Sequence, residues 1–551
     1  MFSAEPELII VDAKIVTMAA DGGISSALAI KNGKIVAVGE DHQVRKLAGP
    51  ATKEMAMAGR TIIPGIIDSH CHPDGAASRV INWHDLSPSR IKNRAALLAH
   101  IEKAAEGLAA DSWIFGYRLN EGKSGGYPSL QELDDASHGR PLFILRTDGH
   151  LGLANSAAFN ALGIDRHTPD PPFGAYDHDP DSGALTGLVR EAAAQIFVEH
   201  AQSVDTPESQ AEGLSIVFDD YLKFGITSVY NSLTCSKAIN AYQIMKSDGR
   251  LKLRVGIIAS GREEGLVEAL IAAGVRSGFG DDWVKVVAVE WCPDCSTSGR
   301  TAAYYEPYIG EKALGEPENN TGMLLYEPDD LAARATAAHK AGLLVCIEGV
   351  GDRGIDFALD AIEAALKKHP VPDHRMRVEH CCYVTPKVMA RIKKLGVVDS
   401  SATGFMYDLG DAYVANRGEA AMQYMWPHRS LIDAGIPAPG HSDSYVCTPN
   451  PFVALWSLVN RQSDGGGSLD TPGAGSQAIS IEEALHAYTT LGAFSGREEN
   501  LKGSLEVGKF ADLAVLDRDI LSIPSQDIRN VEVELTMVGG EIMYERGKHR
   551  N

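Results

Sequence analysis

The chain changes its pattern of apolar and polar positions twice. From Leu8 to about Met57 the two kinds of residue alternate, through 9–16 and again through 27–30, and Asn32-Gly33 supplies a tight-turn signal before 34–38. A period of two is that of half-buried strands, so this region predicts a small antiparallel sheet. The last segment repeats the style in 511–516, 533–538 and 541–544, with Gly539-Gly540 between the final two runs. Both ends are β-rich while the middle is not, which predicts that the termini meet in one sheet domain beside a central domain.

In the middle, short β-branched runs alternate with helical stretches. The candidate strands are 62–68, 226–230, 253–258, 284–289, 343–348, 376–380, 397–401 and 436–443. Helices are expected at 207–224 and 328–341, the latter with Asp329 and Asp330 in the first turn, where the helix dipole favours acids. Eight such units predict a closed α/β barrel of the (β/α)8 kind. The stretch of about 73–205 is too long for one crossover. It carries its own helical pattern (93–108) and apolar run (142–146), and reads as an insertion covering the barrel mouth. The expected layout is therefore 1–60 in the sheet domain, 61–495 in the barrel with its insertion, and 496–551 back in the sheet domain. A Gly- and Ser-rich stretch, 463–475, reads as a loop after the last strand.

Composition narrows the function. At 551 residues the chain exceeds what one core supports, and 44% hydrophobic with 23% charged residues is an ordinary globular mix. The net charge of −22 is spread along the chain, which argues for solubility and against nucleic acid or an anionic membrane as partner. The first residues lack a basic region followed by an apolar core, and no run of about 18 apolar residues occurs, so a cytoplasmic protein is expected. The eight cysteines fall in or beside apolar runs, as reduced buried thiols do.

The chemistry centres on residues 61–72, Thr-Ile-Ile-Pro-Gly-Ile-Ile-Asp-Ser-His-Cys-His. At the carboxyl end of a strand, His70 and His72 project from one face, and two imidazoles so held can grip one metal ion. The ends of the later strands carry Glu348, His380 and Asp443, while the fourth strand contains Lys285 and ends at Glu290. In a barrel all these ends surround one mouth. Cys292-x-x-Cys295 follows the fourth strand and reads either as a structural pair or as a soft-metal or redox pair.

Pro64-Gly65-Ile66-Ile67-Asp68-Ser69-His70-Cys71-His72, Arg377-Val378-Glu379-His380, Ser442-Asp443 and Gly503-Ser504-Leu505-Glu506-Val507-Gly508-Lys509-Phe510-Ala511-Asp512-Leu513 resemble the landmarks of the amidohydrolase superfamily. Asp148-Gly149-His150, Asn155-Ser156, 186–191, 225–229 and Gly351-Asp352-Arg353 add a likeness to its YtcJ-like branch, which includes N-substituted formamide deformylases. The resemblance covers essentially the whole chain. It implies a metal-dependent TIM-like barrel flanked by a β-sandwich built from both termini. His70, His72 and His380 match metal ligands, and Asp443 matches the acid that handles the proton. Lys285 matches a lysine that in some relatives is carbamylated and bridges two metals. Glu348 departs from the pattern, because relatives carry a histidine there. The resemblance implies zinc, one or two ions per chain, whereas a carboxylate at this position makes the site harder and lowers the Lewis acidity of the ion, which brings in iron or manganese as alternatives.

The implied reaction is hydrolysis of a carbon–nitrogen bond in an N-acyl, N-formyl or cyclic amide by metal-activated water. A decarboxylase, lyase or isomerase is the alternative that Glu348 raises, and a non-catalytic small-molecule binding protein is a second. His150 and Arg190 are candidate substrate contacts. Trp291, with Trp83, Phe405, Tyr407 and Trp426, suits an apolar or aromatic substrate. A homodimer is the default assembly for such an enzyme.

Overall fold

The computed structural model describes residues 5–20, 22–87, 90–146, 149, 151–171, 174–203, 205–294, 296–312 and 317–548. The β-branched runs of the middle region form seven parallel strands: Ile66–Cys71, Ile226–Thr234, Arg254–Ser260, Val284–Trp291, Leu344–Gly349, Arg377–His380 and Val398–Ser401. Each pairs with the next in chain order, and Phe279–Gly280 adds a short antiparallel strand against the fourth. The seven strands are buried almost throughout, which is why they read as continuous apolar runs. Ile67, Tyr230, Ile258, Val287, Ala288, Leu344 and Cys346 share one core among them.

The eighth expected strand, 436–443, is not a regular strand. Pro437 and Pro439 have no N–H to give a ladder. Their carbonyls instead accept from Asp399 and Ser401 on the seventh strand, at 3.1 and 2.9 Å. On its other side the segment reaches the first strand, where Asp443 N–H donates to the His70 carbonyl at 3.1 Å and the Ser69 hydroxyl donates to that of Gly440 at 2.9 Å. The segment thus fills the eighth position of a nearly closed parallel barrel.

The first expected strand is also corrected. Residues 62–68 divide at Pro64-Gly65: Thr61–Pro64 belongs to a different sheet, and Ile66–Cys71 enters the barrel. Gly65 is required at the crossing, because a Cβ there would lie 2.1 Å from Oγ1 of Thr227.

That other sheet joins the chain ends. It has six strands in the order Glu541–Glu545, Val533–Val538, Leu513–Leu516, Thr61–Pro64, Lys14–Val16 and Ile24–Ser25, with Ala514 opposite Ile63. A second sheet of four runs Lys34–Gly39, Ala27–Lys31, Leu8–Val11 and Lys53–Ala56. Its first three strands are antiparallel as expected, while Lys53–Ala56 adds a parallel edge. Ile10, Leu28 and Ile30 of the smaller sheet share a core with Ile15, Ile62, Leu513, Val515 and Met537 of the larger.

The chain divides into two compact units, one of Met1–Pro73 with Phe218–Asn551 and one of Asp74–Val217. Within the second, a mixed six-stranded sheet buries both faces. Along Leu142–Arg146, Leu142 and Ile144 enter one core and Phe143 and Leu145 the other, as a period of two requires. The helix Arg94–Ala105 is capped by Asn93, whose side chain accepts from the Ala96 N–H. Among the described residues no helix is long and apolar enough to cross a membrane.

Candidate metal centre

His70 and His72 leave the first strand with one ring nitrogen tied and the other presented. Nδ1 of His70 lies 2.9 Å from Oε2 of Glu379, and Nδ1 of His72 lies 3.1 Å from the Ser232 carbonyl. Both partners only accept, so each Nδ1 carries the hydrogen and each Nε2 keeps its lone pair. Those two Nε2 atoms converge on one oxygen, Oδ1 of Asp443, at 3.5 and 3.0 Å. The convergence depends on the first strand gripping the eighth segment: Asp68 accepts from the Ser442 N–H at 3.1 Å and from its hydroxyl at 2.5 Å.

His380 ends the sixth strand with φ of +68°, and Asp443 has φ of +55°. Residues other than glycine occupy this left-handed region at a cost, and here it turns both side chains out of the strand direction. Nε2 of His380 lies 3.7 Å from Oε2 of Glu348, which also accepts from the Cys292 thiol at 2.5 Å. Glu290, at the end of the fourth strand, places Oε1 3.8 Å from Nδ1 of His70 and accepts from the Ser232 hydroxyl. The structure thus brings together His70, His72, Glu348, His380 and Asp443.

Lys285 is not among them. It stands near the amino end of the fourth strand, five residues before Glu290, or about 16 Å at strand rise. There its Nζ pairs with Glu498 at 2.8 Å. The fourth-strand group at the centre is the Glu290 carboxylate, and a carbamylated Lys285 has no place in it. Trp291 is 1% exposed, and Gly261 packs directly against its indole, so it serves the core rather than a substrate surface. Trp426 is likewise fully buried, with its ring 4.7 Å from Tyr413. Arg190 lies in the unit Asp74–Val217 and is held by both oxygens of Asp177, at 2.8 and 2.7 Å. His150 and Cys295 lie outside the described residues. Of the expected aromatic residues, Phe405 does reach the centre, stacking 5.4 Å from the His380 ring.

Two residues were not assigned from sequence. Glu379 is one, legible only as the neighbour of His380. His441 is the other. It precedes Asp443 by two in the eighth barrel segment. Its ring lies 4.7 Å from that of His70 and 5.2 Å from that of His380.

A cation fits this arrangement. Among the described residues three sets each present one ligand atom per residue within 4.8 Å of one another: His70, His72 and Asp443; His70, Glu348 and His380; and His70, Glu379 and His441. Buried and without a hydrogen-bonding partner among the described residues are Nε2 of His70, Nδ1 of His380, Oδ1 of Asp443, Oε1 of Glu290 and both ring nitrogens of His441. Unsatisfied polar atoms are costly in an interior unless something else engages them. Charge points the same way. Glu290, Glu348, Glu379 and Asp443 are all buried. Burial, with Glu379 and Glu348 adding to it, pushes the Glu290 carboxyl up to about 7 against the opposing His70. Burial opposes charge on His70 too, yet Glu290, Asp443 and Glu379 hold its pKa well above the usual imidazole value. The site therefore favours positive charge at His70, which a proton or a metal ion supplies.

Comparison with known proteins agrees. Residues 53–544 match the family described as "Amidohydrolase family". The chain is 28% identical to an N-substituted formamide deformylase of Arthrobacter pascens over 98% of both chains. It is 25% identical to the putative amidohydrolase YtcJ of Bacillus subtilis, over 97% of this chain and 98% of that one. Among solved structures, an uncharacterized metal-dependent hydrolase from Pyrococcus furiosus superposes with a TM-score of 0.75 at 25% identity, covering 94% of this chain and 100% of the other.

Proposed function

Because the chain belongs to the amidohydrolase family, we propose that it hydrolyses the carbon–nitrogen bond of a small N-formyl, N-acyl or cyclic amide with the help of a divalent metal ion. The observation that carries this is the convergence of the His70 and His72 Nε2 atoms on Oδ1 of Asp443 in a buried pocket of unpartnered ligand atoms. The likeness to a formamide deformylase supports the bond type.

His70, His72, His380 and Glu348 would hold the ion. When bound, such an ion supplies Lewis acidity toward a carbonyl and makes water a stronger acid. Asp443 then does the proton work. Burial opposes its charge, but the imidazoles of His70 and His72 beside it keep its carboxyl well below the usual range, so it stands as an anion. It takes a proton from the attacking water and returns it to the leaving nitrogen. The water oxygen joins the carbonyl carbon, the carbon–nitrogen bond breaks, and an acid and an amine result. Phe405, stacked beside His380, favours an apolar or aromatic group on the substrate.

Zinc is the proposed ion, and a homodimer the proposed assembly. A second reading, non-hydrolytic lyase or decarboxylase chemistry, draws on one observation: Glu348, a carboxylate linked to Cys292, stands where an imidazole was expected.

Turnover of N-formyl and N-acyl arylamines and of cyclic amides in ¹⁸O-labelled water separates the two. Amine release with one solvent oxygen in the acyl product supports hydrolysis. Substrate conversion without solvent oxygen in the product overturns it in favour of the second reading.

A further inference from the structure

We propose that His441 is a metal ligand of this centre, supplying from the eighth barrel segment the imidazole that the fifth strand lacks. The inference rests on the reading that the cluster holds a divalent ion, and it goes beyond that reading by assigning a ligand at a position where none was expected.

His374, buried elsewhere in the chain, shows what a structural histidine does: Nε2 lies 2.8 Å from the Leu395 carbonyl and Nδ1 accepts from the Met376 N–H at 2.9 Å. His441 is fully buried, and neither of its nitrogens has a hydrogen-bond partner among the described residues. A neutral imidazole carries one donor and one acceptor, and leaving both unmet in an interior costs about 1–3 kcal/mol for each group. A metal ion would satisfy the acceptor directly.

His441 shares with His70 and Glu379 a set of ligand atoms within 4.8 Å of one another. Its backbone is fixed on both sides: N–H donates to the Ser401 carbonyl at 3.2 Å, and its carbonyl accepts from Gly404 N–H at 3.0 Å and the Thr403 hydroxyl at 3.2 Å. Ser442, next in the chain, is held by Asp68. A backbone held at so many points presets the ring beside His70 and His380.

Glu348 occupies the fifth-strand end and spends its Oε2 on Cys292 and His380. Replacing an imidazole by a carboxylate hardens the site. An imidazole from His441 restores the nitrogen donor without adding another negative charge to four buried carboxylates.

The test uses the full chain, stripped and reloaded with Co²⁺ as wild type, His441→Ala and His441→Gln. Cobalt per chain, affinity by chelator competition and the visible absorption spectrum are read, with melting of the metal-free forms as the control for folding. The proposal expects at least a tenfold loss of Co²⁺ affinity and an altered visible band in both variants, with free imidazole partly restoring the band in His441→Ala. Wild-type affinity and an unchanged spectrum in a folded variant would overturn it. If wild type itself takes up no Co²⁺, the metal reading of the whole centre falls, and this proposal with it.

Discussion

Glu379 and His70 form the hydrogen bond on which the centre turns: Oε2 of Glu379 accepts from Nδ1 of His70 at 2.9 Å, and Arg377 grips the same carboxylate with two nitrogens at 2.5 and 2.8 Å. All three are buried. Burial opposes the charge on Glu379, but the Arg377 guanidinium and His70 hold its carboxyl well below the usual range. The carboxylate therefore fixes the tautomer and orientation of His70 and presents Nε2 to the pocket. Glu379→Gln is expected to weaken metal affinity by about 10–100-fold, the range for such supporting residues, measured by chelator competition. Unchanged affinity would mean that His70 is oriented by something else.

Asp443 has a different role from the histidines, and its substitution separates two quantities. Asp443→Asn keeps the size of the side chain but removes its ability to accept a full proton. Turnover should fall by about 10²–10⁴-fold, while metal per chain, by elemental analysis, stays near the wild-type value because His70, His72, His380 and Glu348 remain. A variant that turns over normally would remove Asp443 from the reaction.

Lys285 lends itself to the opposite test. It pairs with Glu498, which Lys502 also meets at 2.7 Å and the Tyr230 hydroxyl at 2.9 Å. Lys285→Met therefore leaves Glu498 with two partners and should cost only about 1–2 kcal/mol of stability, less than breaking an isolated buried pair. Metal content should not change. A loss of bound metal in this variant would place Lys285 in the centre after all.

These residues also show how far the sequence carries. The parallel strands were legible because burial on both faces leaves continuous β-branched runs, and His70, His72, His380 and Asp443 were legible as polar residues at the carboxyl ends of such runs. Lys285 misled because a strand has two ends: only position along it, five residues from Glu290, decides which mouth a side chain serves. His441 lay inside the expected strand 436–443, two residues before its end, so a reading of the terminal residue of each strand passed over it. That Gly65 hands one apolar run to two sheets depends on its close approach to Thr227, a contact between positions far apart in the chain.

Asp399 allows a prediction about stability rather than catalysis. It lies fully buried on the seventh strand, neither carboxyl oxygen has a hydrogen bond of good geometry, and its polar neighbour is the Cys381 thiol. Burial, with Glu379 adding to it and the Cys381 thiol opposing, pushes its carboxyl from an ordinary 3.8 up to about 8. A carboxyl whose pKa is raised on folding stabilises the fold fully below its unfolded value, and that contribution is lost as pH rises through the folded value. Wild type should therefore lose stability between about pH 4 and pH 8 through this residue. Asp399→Asn has no proton to lose. It should come within about 1 kcal/mol of wild type near pH 4.5 and exceed it at pH 8 by at least about 2 kcal/mol, since one pKa unit corresponds to about 1.4 kcal/mol. Melting both proteins at pH 4.5, 6 and 8 and comparing them at each pH cancels the acid sensitivity of the metal centre, which they share. A difference that grows with pH supports a neutral Asp399 in the fold. A difference independent of pH would show that it is ionised there and balanced by a charge from another source.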